Sequence, residues 1–126
     1  LRLSEVDFEE IEFFFDNILN ITDLELKDIK FVTKFHIVKL FNLKHLSLID
    51  MNIDNDDISF IMTKLKNLHY LNIHSVDCYK RYSEKHLVEA SIYYENMKIL
   101  EMGNHNDIKI FNIDKLRIKR KKKTNI

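Results

Sequence analysis

Proline and tryptophan are absent from this chain of 126 residues, and glycine and cysteine occur once each, as Gly103 and Cys78. Each shortage closes a route. A single cysteine rules out an internal disulfide framework and a multi-cysteine zinc site, and fits a reducing, intracellular setting. A single glycine rules out a Gly-rich loop cradling phosphates. No window approaches the run of about 18 apolar residues that a membrane helix needs, and no basic start precedes an apolar stretch, so neither a membrane span nor a signal peptide is expected. The first residue is Leu1 rather than Met, which leaves room for an upstream part.

What is present describes one soluble domain with a substantial core: 45% of the residues are hydrophobic and 32% are charged. Formal net charge is zero only on average. Residues 1–28 hold nine acids against Arg2 and Lys27, a local charge of −7; residues 115–123, KLRIKRKKK, hold seven bases and no acid, a local charge of +7. An imbalance of this kind bears on partners and solubility rather than on fold.

A short pattern recurs along the chain. It reads NITDLEL from Asn20, NLKHLSL from Asn42, NLHYLNI from Asn67, NMKILEM from Asn96 and NIDKLRI from Asn112. The fourth position is Leu in every copy (Leu24, Leu46, Leu71, Leu100, Leu116), and an Asn, a residue that fills only 12 positions, opens all five. Leu1 and Leu3 look like the fourth and sixth places of a degenerate earlier copy. With its L-x-L core and intervening polar residues the pattern resembles the leucine-rich repeat family. It departs from that family where the ladder Asn would stand, since Ile29, Met51 and Val76 occupy the place, and in its uneven unit lengths of 22, 25, 29 and 16 residues. The resemblance implies an α/β solenoid with a short parallel concave sheet and helices on the convex side.

Periodicity gives the same reading independently. Leu24/Leu26, Leu46/Leu48, Leu71/Ile73 and Leu100/Met102 put alternate side chains on one face of short strands. Between them the apolar spacing becomes helical, with Phe8, Ile11, Phe15 and Ile18 expected inward over Asp7–Leu19, Phe31, Phe35 and Val38 over Lys30–Leu40, Ile58, Ile61 and Leu65 over Asp56–Leu65, and Leu87, Ala90 and Tyr94 over Ser83–Tyr94. Asp7 is a candidate N-cap. The last spacing leaves little room for a helix, so a loop is expected through Gly103–Asp107, strand-like chain at Ile108–Ile110 and a final strand at Ile113–Ile118. These readings divide the chain into a repeat domain, 1–118, and a basic tail, 119–126.

On the open side of such strands the middle positions are His45, Ile49, Tyr70, His74 and Ile99, aromatic and apolar where a merely solvated sheet would be charged, and they form the candidate surface for a protein partner. The histidines lack the spacing and companion carboxylates of a metal site. Cys78, with Asp77 and His74 nearby, falls at a core position of its unit and is expected to be a buried small hydrophobe rather than a nucleophile. Asp54, Asp56 and Asp57 lack the Gly and closing Glu of a calcium loop and fit a helix cap instead.

The basic run supplies a second candidate site: Lys115, Arg117, Lys119, Arg120, Lys121, Lys122 and Lys123 can meet phosphates, act as a nuclear address or simply solvate the end. In the strand reading, Arg117 and Lys119 face the open side. The sequence therefore points to a non-catalytic module, cytoplasmic or nuclear, that binds a protein partner and uses no cofactor and no small-molecule substrate. A ribonucleoprotein or ribosome-associated protein, anchored to RNA by its basic end, is the alternative.

Overall fold

The computed structural model describes residues 1–75, 84–94, 96–104 and 107–124. Each short alternating segment becomes a strand: β1 (Arg2–Ser4), β2 (Asp23–Lys27), β3 (His45–Ile49), β4 (Tyr70–His74), β5 (Ile99–Gly103) and β6 (Ile108–Asn112). They lie side by side in chain order in one open sheet. The first five run parallel, and β6 returns antiparallel to β5.

The register follows the repeat. Leu24, Leu46, Leu71 and Leu100 are successive partners across the sheet, and so are Leu3, Leu26, Leu48, Ile73 and Met102. Both rows point to the face that the helices cover, and from Leu24 onward every member is buried. The helices are α1 (Phe8–Asn17), α2 (Lys34–Ile37), α3 (Asn55–Lys64), α4 (Glu84–Ala90) and α5 (Ile113–Thr124), with a 3-10 turn at Ser91–Tyr93. Ile11, Phe15, Ile37, Leu40, Ile58, Ile61, Leu65 and Leu87 close the core from the helical side.

Caps set the helix starts. The Asp7 carboxylate accepts from Glu10 N–H at 2.8 Å, and Asp54 accepts from Asp57 N–H at 2.8 Å while Asp57 accepts in return from Asp54 N–H at 3.2 Å. Strand exits share another device. Glu5, Asp28 and Asp50, each two residues past the second buried row, have φ of 53°, 50° and 52°. This left-handed turn ends the strand, and Asp is among the non-glycine residues that tolerate it best.

The repeat Asn residues stitch neighbouring units together. Asn67 Nδ2 donates to Phe41 O at 3.0 Å and Asn96 Nδ2 to Lys66 O at 2.6 Å; Asn42 Nδ2 reaches Asn20 Oδ1 at 3.3 Å. Each Asn thus ties its unit to the unit before it at the strand entrances. At the family's usual ladder place the stitch is a weak one, Ile29 N–H to the Met51 sulfur at 3.4 Å. Val76 and Cys78 lie outside the described residues.

Two expectations need correction. The segment 113–118 is not a strand but the first half of α5, which runs on through residue 124. A further parallel strand would need a crossover of about a dozen residues or more, and the 16-residue spacing cannot supply that as well as a strand. The chain instead turns back as β6, and Asn112 at its end accepts from Lys115 N–H at 3.2 Å, the geometry of an N-cap. Leu116 is still buried, but from the helix.

The second correction concerns four residues expected to face inward. Phe8, Ile18, Phe31 and Phe35 are exposed rather than inward. In α1 the buried stripe is Ile11, Phe14 and Phe15, and α2 is a single turn whose core contact is Ile37, so Phe31 lies ahead of it and Phe35 on its outer side.

Candidate partner-binding face

The sheet face without helices presents the odd positions of the repeat in three columns. The first is Asp23, His45, Tyr70, Ile99 and Asn112; the second is Arg2, Glu25, Ser47, Asn72, Glu101 and Ile110; the third is Ser4, Lys27, Ile49, His74, Gly103 and Ile108. Parallel pairing without a shift in register brings these side chains to opposite-neighbour distance, so adjacent units interact directly.

At the β1 end the columns are polar and paired. Arg2 Nε lies 2.5 Å from Glu25 Oε2, and His45 Nδ1 lies 2.8 Å from Asp23 Oδ1. The His45 ring meets Tyr70 edge to face, centroids 4.7 Å apart. Asp23, Glu25, His45, Ser47, Tyr70 and Asn72 border an open depression of about 530 Å3. Further along, His74 Nε2 lies 2.9 Å from Glu101 Oε2. Beside the first column, His69 is held below the ordinary imidazole range by partial desolvation, then by Lys98 and Lys44.

The five residues expected to form the surface all lie on this face. Tyr70 and His45 are exposed, and Ile49, His74 and Ile99 are half-buried among their neighbours. The fold adds two that the sequence reading missed: Ile108 and Ile110, 51% and 63% exposed, enter the third and second columns from β6. Their signal was the alternation in IKIFN together with Gly103. A Cβ there would overlap the Asp107 carbonyl oxygen and lie 2.8 Å from Ile108 Cα, so a tight reversal needs a glycine at that point.

The basic run sits elsewhere. Helix α5 packs on α4 and the following 3-10 turn, on the helix-covered side of the sheet, so Arg117 and Lys119 do not flank Tyr70 as a strand would have placed them. Arg117 Nε donates to Ser91 O at 3.3 Å, its Nη2 to Tyr94 O and its Nη1 pairs with Asp114 at 2.5 Å. Arg120 Nε donates to Glu89 O at 3.3 Å. Both guanidiniums therefore satisfy carbonyls at the end of a neighbouring helix. Lys115, Lys119, Lys121 and Lys122 are exposed; the Lys123 side chain lies outside the described residues.

Among the described residues no cluster of three or more His, Cys, Asp or Glu is placed to hold a metal ion, and no helix is long and apolar enough to cross a membrane. Compared with protein-family models, curated proteins and solved structures, the chain matches none of them.

Proposed function

We propose that the chain is an irregular leucine-rich repeat solenoid whose helix-free sheet face binds a protein partner without catalysing a reaction. One observation carries this reading. Tyr70 stands on an exposed surface with the Asp23–His45 pair on one side and Ile99, Ile110 and Ile108 on the other, where the His74–Glu101 pair lies among them. An aromatic anchor with apolar neighbours and a polar rim is the usual make-up of an energetic centre in a protein interface. Ion pairs between neighbouring strands hold the rim side chains in place before the partner arrives, which lowers the ordering cost of association.

A photo-crosslinking amino acid at position 70, with a second at the exposed loop position 52 as control, tests the face. A defined adduct from position 70, lost on Ile110→Ser while the fold is retained, is the expected result. Equal adducts from both positions would remove the sheet face from consideration. In the rival reading, RNA anchoring by the basic end, Arg117 and Arg120 also donate to backbone carbonyls and the exposed lysines supply the remaining positive charge.

A further inference from the structure

The helix-covered side carries an anomaly of its own. Only two of the nine phenylalanines, Phe14 and Phe15, are buried, while Phe13 and Phe35 are 67% and 62% exposed. Each step along the helical layer offers one outward apolar group: Phe13 on α1, Phe35 on α2, Phe60 on α3, Tyr93 after α4 and Ile118 on α5. Phe35 and Phe60 meet edge to face at 5.6 Å, with the Lys34 ammonium 5.4 and 5.1 Å from their centroids. Outward apolar groups on every element of one layer, two of them in ring contact, mark a contact site.

Charge says what covers it. On α1, Glu9, Phe13 and Asp16 recur at helical spacing on the outer face, opposite the buried Ile11, Phe14 and Phe15, and all three are exposed. On α5, Lys115, Ile118, Lys119 and Lys122 do the same opposite the buried Ile113 and Leu116, and all four are exposed. One terminal helix shows acids around an apolar group, and the other shows lysines around an apolar group. The two faces complement one another, but they sit at opposite ends of the same layer, α1 in the β1–β2 connection and α5 beside α4. They cannot meet within one chain.

We infer that the helix-covered face is a self-association surface, on which a second copy of this chain lies antiparallel about a two-fold axis. In that arrangement α1 of each copy faces α5 of the other, Phe35 faces Tyr93 and Phe60 faces its own equivalent at the axis. The contact is isologous, so it closes at two copies. Opposite charges meet twice, while parallel stacking would set like against like. The long Glu and Lys side chains suit the ends, where two layers are farthest apart, and the rings suit the centre. The sheet face stays open on both copies, so this inference stands apart from the partner-binding reading.

Sedimentation velocity of the purified full chain tests it over a concentration series at low salt and at about 0.5 M salt, where the screening length falls well below 10 Å. The expected result is a monomer–dimer equilibrium, tightest at low salt, that stops at the dimer. Lys115→Glu, Lys119→Glu and Lys122→Glu together, or Glu9→Lys with Asp16→Lys, should each weaken dimerisation at least tenfold. An equimolar mixture of the two variants should restore it, which a folding defect in either would not allow. A wild-type chain that remains monomeric throughout, a mixture that stays monomeric, or oligomers that keep growing with concentration would each overturn the two-fold contact. So would salt-sensitive RNA binding abolished by the lysine changes in a protein that never dimerises, which would assign the α5 face to a polyanion.

Discussion

At the scale of single residues the structure turns on a few side chains in unusual positions. Asp50 holds a left-handed backbone at the exit of a central strand, and a β-branched residue there meets its own carbonyl. Asp50→Val should therefore lower stability by about 1–2 kcal/mol, with Asp50→Asn near neutral, as read from denaturant midpoints at constant m-value. Tyr94 supplies a pH prediction. Burial raises its phenol above the usual 10.0, outweighing a hydrogen bond with Ser59 that acts the other way. Because the folded pKa exceeds the unfolded one, the folded state keeps a proton that the unfolded chain gives up. Stability is constant in this respect below about pH 10 and falls as pH rises from there through the folded value. Thermal melts across that range should show a decline that is shallower in Tyr94→Phe.

At the scale of elements, the capping of α5 decides between a helix and the strand that the repeat pattern called for. Asn112→Ala removes the acceptor for Lys115 N–H and should cost about 1 kcal/mol, seen as a lower melting temperature with less helical circular dichroism, while β6 pairing persists. The contrast shows what the sequence could and could not tell. Parallel strands were legible because L-x-L alternation and the invariant Leu encode a face, and α3 was legible because Asp54 and Asp57 form a reciprocal cap ahead of well-spaced Ile58 and Ile61. The fifth copy was misread because NIDKLRI satisfies both a strand pattern and a capped helix. Local sequence does not report that β5 already has β6 as its neighbour. Phe31 and Phe35 were misread for a related reason: helical spacing was extended over a segment that forms only one turn. The central patch was legible as residues sharing a face, whereas its Ile108 and Ile110 depend on a chain reversal that only the fold reveals.

At the scale of the whole molecule, each unit of the sheet touches chiefly the units beside it, so stability is set by nearest-neighbour contacts and is uneven along the stack. Amide exchange should be slowest in β3 and β4, which pair on both sides over five residues, and fastest in β1, which is three residues long and has one neighbour. Uniform protection across all strands would mean that the sheet opens only as a single block. The antiparallel return of β6 also bears on how such a chain changes over generations. Lengthening by duplication requires a free parallel berth beside the last strand, and here that berth is held by a segment running the other way and sealed by a docked helix. Units copied within the array or added ahead of β1 would keep their register, but any unit appended after β5 must first evict β6 and α5. Within this sheet, parallel growth is thus blocked on the far side of β5, where β6 already pairs.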